Sequence, residues 1–157
     1  MKTASIQEIK SELQNLESEN LLGLCMRLAK YKKENKELLT YLLFESNNEQ
    51  AYVETVKEAI DELFTTLPPQ NLYLIKKSLR KILRFVNKQL KYSGVKQTEV
   101  ELRIYFCAKV KEARIPFATN TVLFNIYQQQ LNKIHAALAK LPEDLQSDYQ
   151  QGLEEIL

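Results

Sequence analysis

The chain has 157 residues, 45% of them hydrophobic and 27% charged, with a formal net charge of +2. That is enough for one ordinary globular core, and it excludes both a disordered and a uniformly polybasic chain. Only three glycines and four prolines occur, too few turn signals for a β-sandwich or barrel.

The segment 1–15 has Glu8 and Glu12 where a secretory signal needs an apolar stretch. The longest apolar run, Leu38–Phe44 with Thr40 inside it, is far short of the ~20 residues that span a bilayer. The expectation is a single cytoplasmic domain over 1–157 with no membrane span. Ser5 and Glu8 have the spacing of a capping box, and Ile6, Ile9, Leu13 and Leu16 then continue a helix at helical intervals. A second helix begins near Asn20, carries Leu21, Leu24, Cys25 and Leu28, and ends in the polar run Tyr31–Asn35. A third carries Leu38, Leu39, Tyr41, Leu42 and Phe44 and stops at Ser46-Asn47-Asn48.

The fourth helix has the clearest pattern. Tyr52, Val53, Val56, Ile60, Leu63, Phe64 and Leu67 form one stripe, with Glu54, Glu58, Asp61 and Glu62 opposite. Pro68-Pro69 closes it and is expected to open the fifth helix, since proline is tolerated at a first helical position. The fifth runs over about 70–92 and ends at Ser93-Gly94, where a left-handed cap is expected. A sixth is expected from Thr98, with Glu101 three residues on. Val100, Leu102, Ile104 and Phe106 alternate there with Glu101, Arg103 and Tyr105, which is also the pattern of a half-buried strand. A lone strand would lack a partner for its hydrogen bonds, so a helix is expected. Asn120 is expected to cap a seventh helix, and Pro142-Glu143-Asp144 to open a short eighth. The fold class is all-α, with about eight antiparallel helices in an irregular bundle or a short α-α superhelix.

Leu21–Phe44 (LLGLCMRLAKYKKENKELLTYLLF) resembles the helix, short turn, helix unit of HEAT and armadillo repeats. The stretches 51–91 and 100–138 have similar lengths. The chain also looks like a small all-helical bacterial family, which implies no activity. The repeat resemblance implies a binding scaffold rather than an enzyme.

The charge distribution carries the one functional lead. No Asp or Glu occurs from Gln70 through Thr98, while eight Lys or Arg do. Residues 1–69 hold eight basic and twelve acidic side chains, and residues 99–157 six and eight. At about 100° per residue, Leu72, Ile75, Leu79, Ile82, Leu83, Val86 and Leu90 form a core-facing stripe. Lys77, Arg80, Lys81, Arg84, Lys88 and Lys91 form a cationic ridge beside it, about 20 Å long. Leu74, Phe85 and Tyr92 lie on the third side, so burial on two faces is expected.

Three readings of the ridge follow. It is paired with the acidic face of the fourth helix or simply solvated, as structural charge segregation with no ligand. It binds an acidic protein partner, which is the reading preferred here. Or it binds the phosphate backbone of a nucleic acid, with Tyr73 and Tyr92 available to stack on bases. A pI near 8.4 is low for a dedicated nucleic-acid domain. A membrane surface is disfavoured because the apolar stripe is needed for the core.

No catalytic constellation is evident. His135 is the only histidine and lies off its helix's apolar line. Cys25 and Cys107 have neither metal-ligand nor redox spacing and are expected to be buried thiols. There is no phosphate-binding glycine loop or nucleophile elbow. Glu54, Glu58 and Asp61, like Glu34 and Glu37, share faces that read as solvent-facing. No catalytic residue, metal or cofactor is expected, and the sequence fixes no oligomeric state.

Overall fold

The computed structural model describes all 157 residues. The chain is all-α and contains no strand. Its helices are α1 (Ile6–Gln14), α2 (Ser18–Tyr31), α3 (Lys33–Thr40), α4 (Glu49–Thr65), α5 (Leu72–Ser93), α6 (Lys96–Glu112), α7 (Thr121–Leu138), α8 (Glu143–Asp148) and α9 (Gln150–Ile156). A π-helical turn, Tyr41–Glu45, follows α3, and a 3₁₀ turn, Phe117–Thr119, precedes α7. The C-terminal segment therefore holds two short helices where one was expected. No helix is long and apolar enough to cross a membrane.

Contacts within the chain fall into two compact units, Met1–Phe44 and Glu45–Leu157. In the first unit the capping box is made: Ser5 N–H and Oγ both donate to Glu8 Oε2 at 2.7 Å, and Glu8 N–H donates to Ser5 Oγ. α2 packs on α3, and Asn35 Nδ2 donates to the Leu28 carbonyl at 2.7 Å across the turn between them. Not one side chain of α1, α2 or α3 is buried.

The second unit holds nearly all of the core. α6 lies at its centre and packs on α4, α5, α7 and α9. Val100, Leu102, Phe106, Cys107 and Val110 are fully or almost fully enclosed. Phe64 of α4 meets Phe106 with ring centroids 5.9 Å apart. A helix enclosed on several sides has no single apolar stripe. This is why residues 100–106 imitate a strand in the sequence although they are helical.

Two expected helix starts differ in detail. Pro68-Pro69 does not open α5; Asn71 caps it, accepting from Leu74 N–H at 3.1 Å. Thr98 does not cap α6, which begins at Lys96. Thr98 is buried, and its hydroxyl donates to Glu49 Oε1 at 2.6 Å. Ser93 Oγ donates to the same carboxylate oxygen. Glu49, in the first turn of α4, thereby holds both sides of the α5–α6 turn. Gly94 ends α5 in the left-handed region at φ 68°, its N–H donating to the Leu90 carbonyl at 2.9 Å. Asn120 caps α7, accepting from Val122 and Leu123 N–H at 3.2 Å.

Candidate interaction surface

α5 turns its expected stripe inward. Ile75, Leu79, Ile82, Leu83 and Val86 are buried, Leu90 is half-buried, and Leu72 at the helix start is 42% exposed. Burial of the third side is partial: Phe85 and Tyr92 are half-buried, but Leu74 is exposed. Tyr73 is exposed while Tyr92 is half-buried and engaged within the fold. The two tyrosines therefore do not form a matched pair of open stacking platforms.

Of the ridge, Lys77, Arg80, Lys81, Arg84 and Lys91 are exposed, and Lys88 is half-buried and engaged within the protein. The expected alternative partner, the acidic face of α4, does not pair with the exposed ridge cations: Glu58 and Glu62 form no ion pair, and Glu54 and Asp61 bind other bases. Glu54 pairs with Lys57 at 2.9 Å. Asp61 pairs with Lys109 at 3.2 Å and accepts from Tyr105 Oη at 2.8 Å. None of the five exposed ridge cations forms an ion pair with a carboxylate.

Beside the ridge an open groove of about 580 Å³ separates α5 from α7. Arg80, Arg84 and Asn87 line its α5 wall, and Asn125 and Gln129 its α7 wall. Leu83, Val122 and Ile126 supply the apolar part of the lining. The two arginines are visible in the sequence, whereas the groove is not. The carboxamides on α7 carry no charge signal, and their nearness to α5 depends on how both helices pack.

A second polar cluster lies inside the unit and was not foreseen. Arg103 of α6 is only 5% exposed. Its Nη1 donates to Gln130 Oε1 of α7 at 2.8 Å, and its Nη2 and Nε lie 3.1 Å from Glu99 Oε1. Burial alone would raise the Glu99 carboxyl, but hydrogen bonds from Lys96 and Arg103 outweigh it and hold it below the ordinary value. Nearby, Lys57 Nζ reaches Glu101 at 2.7 Å, and Tyr149 Oη donates to the same carboxylate at 3.3 Å. No buried side-chain polar atom lacks a partner. These clusters are saturated and hold α4, α6, α7 and the α8–α9 junction in register.

Cys107 is buried as expected, and burial pushes its thiol up to about 12 although Arg103 and Lys111 pull the other way. Such a thiol is inert. Cys25, expected to be buried, is exposed: its apolar neighbours on α2 do not face a core. His135 is exposed. No three His, Cys, Asp or Glu side chains are grouped as metal ligands would be. No known protein family, no curated protein and no solved structure matches the chain.

Proposed function

We propose that the protein is a non-enzymatic interaction module whose α5 ridge, with the adjoining groove, binds an acidic segment of a partner protein. One observation carries this reading: five cations of α5 stand exposed without carboxylate partners, and none of them pairs with the acids of α4, of which Glu54 and Asp61 bind other bases while Glu58 and Glu62 form no ion pair. Like charges at i,i+4 cost a few tenths of a kcal/mol in a helix, so a row such as Lys77–Lys81 and Arg80–Arg84 is relieved by an anionic ligand. The groove favours a peptide over a phosphate backbone. Its carboxamides can bond a peptide main chain, its apolar lining can take a side chain, and Arg80 and Arg84 can each grip a carboxylate bidentately. Nucleic acid remains the second reading, supported by the ridge itself and by exposed Tyr73.

The test is a pull-down from lysate with wild type and Arg80→Glu/Arg84→Glu, alongside a salt titration with single- and double-stranded oligonucleotides. The expected outcome is loss of acidic partners in the variant and no more than weak, salt-sensitive oligonucleotide binding. Identical partner sets would refute the acidic-partner reading. Tight oligonucleotide binding abolished by the same substitutions would install the second reading in its place.

A further inference from the structure

The groove between α5 and α7 is built on a helical period. Arg80, Leu83, Arg84 and Asn87 line its α5 wall at i, i+3, i+4 and i+7. Val122, Asn125, Ile126 and Gln129 repeat that spacing on its α7 wall. Each helix therefore presents two turns of one face to the same open groove, and such a face is what a helix packs against another helix. Leu83 is buried, Ile126 half-buried and Val122 37% exposed, so apolar surface is available between the two walls.

The polar groups differ from wall to wall. Arg80 and Arg84 on α5 are exposed and have no carboxylate partner. Asn125 and Gln129 on α7 are exposed and uncharged, and no Asp or Glu lines the groove. Residues four apart on a helix have Cβ atoms about 5–6 Å apart, so the two arginines match two carboxylates one helical turn apart on a ligand. The other common ways of holding a peptide fit poorly. Strand addition needs a sheet edge, and the chain contains no strand. A polyproline segment needs an aromatic-lined groove, and no aromatic side chain lines this one. A helix laid in the groove needs only the apolar floor and the repeating walls that are present.

On the reading that α5 binds an acidic segment of a partner protein, we infer that this segment is an amphipathic helix lying in the α5–α7 groove. Its inner face carries aliphatic residues, and two acidic residues one turn apart occupy the flank that meets Arg80 and Arg84. The carboxamides then face its neutral polar flank or the free carbonyls at its end, the main-chain groups that a helix leaves open.

Fluorescence anisotropy of labelled synthetic peptides titrated with the full chain tests it. The probe is a side-chain-crosslinked helical peptide of about 15 residues, with glutamate at i and i+4 and leucine at i+1, i+5 and i+8. At about 100° per residue these positions put the leucines on one stripe and the glutamates on one flank of it. Moving the glutamates to i and i+2 places them on opposite flanks and is expected to weaken binding by about tenfold or more. Replacing the leucines by serine should do the same, as should a central proline in an uncrosslinked version. Arg80→Glu/Arg84→Glu should abolish binding of the probe without changing helical circular dichroism, because both side chains are exposed. A probe with lysines in place of the glutamates should bind that variant and not wild type. If the proline peptide binds as tightly as the crosslinked probe, and loses binding in the arginine variant, the helical ligand is overturned and the acidic-segment reading stands. Equal binding of the two glutamate arrangements or of the serine peptide also overturns it, since the ridge then responds to net charge alone. No binding by any of these peptides overturns it as well, and the acidic-segment reading is then decided by the pull-down.

Discussion

Arg114 is the one residue other than glycine with a positive φ, at 52°. It ends α6 in a Schellman arrangement: Arg114 N–H donates to the Lys111 carbonyl at 2.9 Å, and Ile115 N–H to the Val110 carbonyl at 3.3 Å. A side chain in the left-handed region costs roughly 1 kcal/mol that glycine avoids. Arg114→Gly is therefore expected to raise unfolding stability by about 0.5–1 kcal/mol in urea denaturation; an unchanged or lowered midpoint would contradict this. The end of α5 also uses a left-handed residue, there a glycine whose N–H takes the Leu90 carbonyl in a single bond, and the Ser93-Gly94 pair made that cap readable from the sequence. At Arg114 the sequence offers only Ile115-Pro116 just beyond, which signals a break but not the conformation that makes it.

Among the elements, legibility tracks one-sidedness. α4 and α5 each bury one continuous stripe, so periodicity found both, and Asn120 announced α7 by its capping chemistry. α6 is enclosed from several directions and betrays neither its period nor its start, because Thr98 spends its hydroxyl on Glu49 rather than on its own helix. The ridge was readable because charge is visible residue by residue. The groove beside it was not, since Asn125 and Gln129 gain meaning only from the packing of α7 near α5. Arg103 in α6 shows the same dependence: its sequence neighbours look amphipathic, yet its guanidinium is buried between Glu99 and Gln130. Removing the guanidinium leaves the buried Gln130 Oε1 without its donor and Glu99 with Lys96 alone, at a cost of about 1–3 kcal/mol. Arg103→Ala is expected to lose stability of that order by chemical denaturation. A loss under about 1 kcal/mol would mean that water replaces the guanidinium without difficulty.

For the molecule as a whole, acid stability follows from its carboxylates. Glu8, Glu54 and Glu99 all titrate below the ordinary value of 4.5, held down respectively by the Ser5 capping box, by Lys57, and by Lys96 and Arg103 acting against burial. A carboxyl whose folded value is depressed contributes stability that is complete above the unfolded value and is lost as pH falls through the folded one. The denaturation midpoint should therefore be flat near neutrality and decline from about pH 5 downward. Glu99→Gln should make that decline shallower, and a parallel profile would show that Glu99 does not contribute to it.

The central position of α6 also has a consequence in time. Chains are made from the N-terminus, so α4 and α5 leave the ribosome before the helix on which both pack. α6 in turn emerges before α7 and α9, which cover its remaining sides. Nascent protein must therefore carry Val53, Ile60 and Val86, and then Leu102 and Phe106, incompletely covered until the later helices arrive. The arrangement that gives the finished unit a single shared core gives the growing chain an interval in which its apolar surface is open to aggregation.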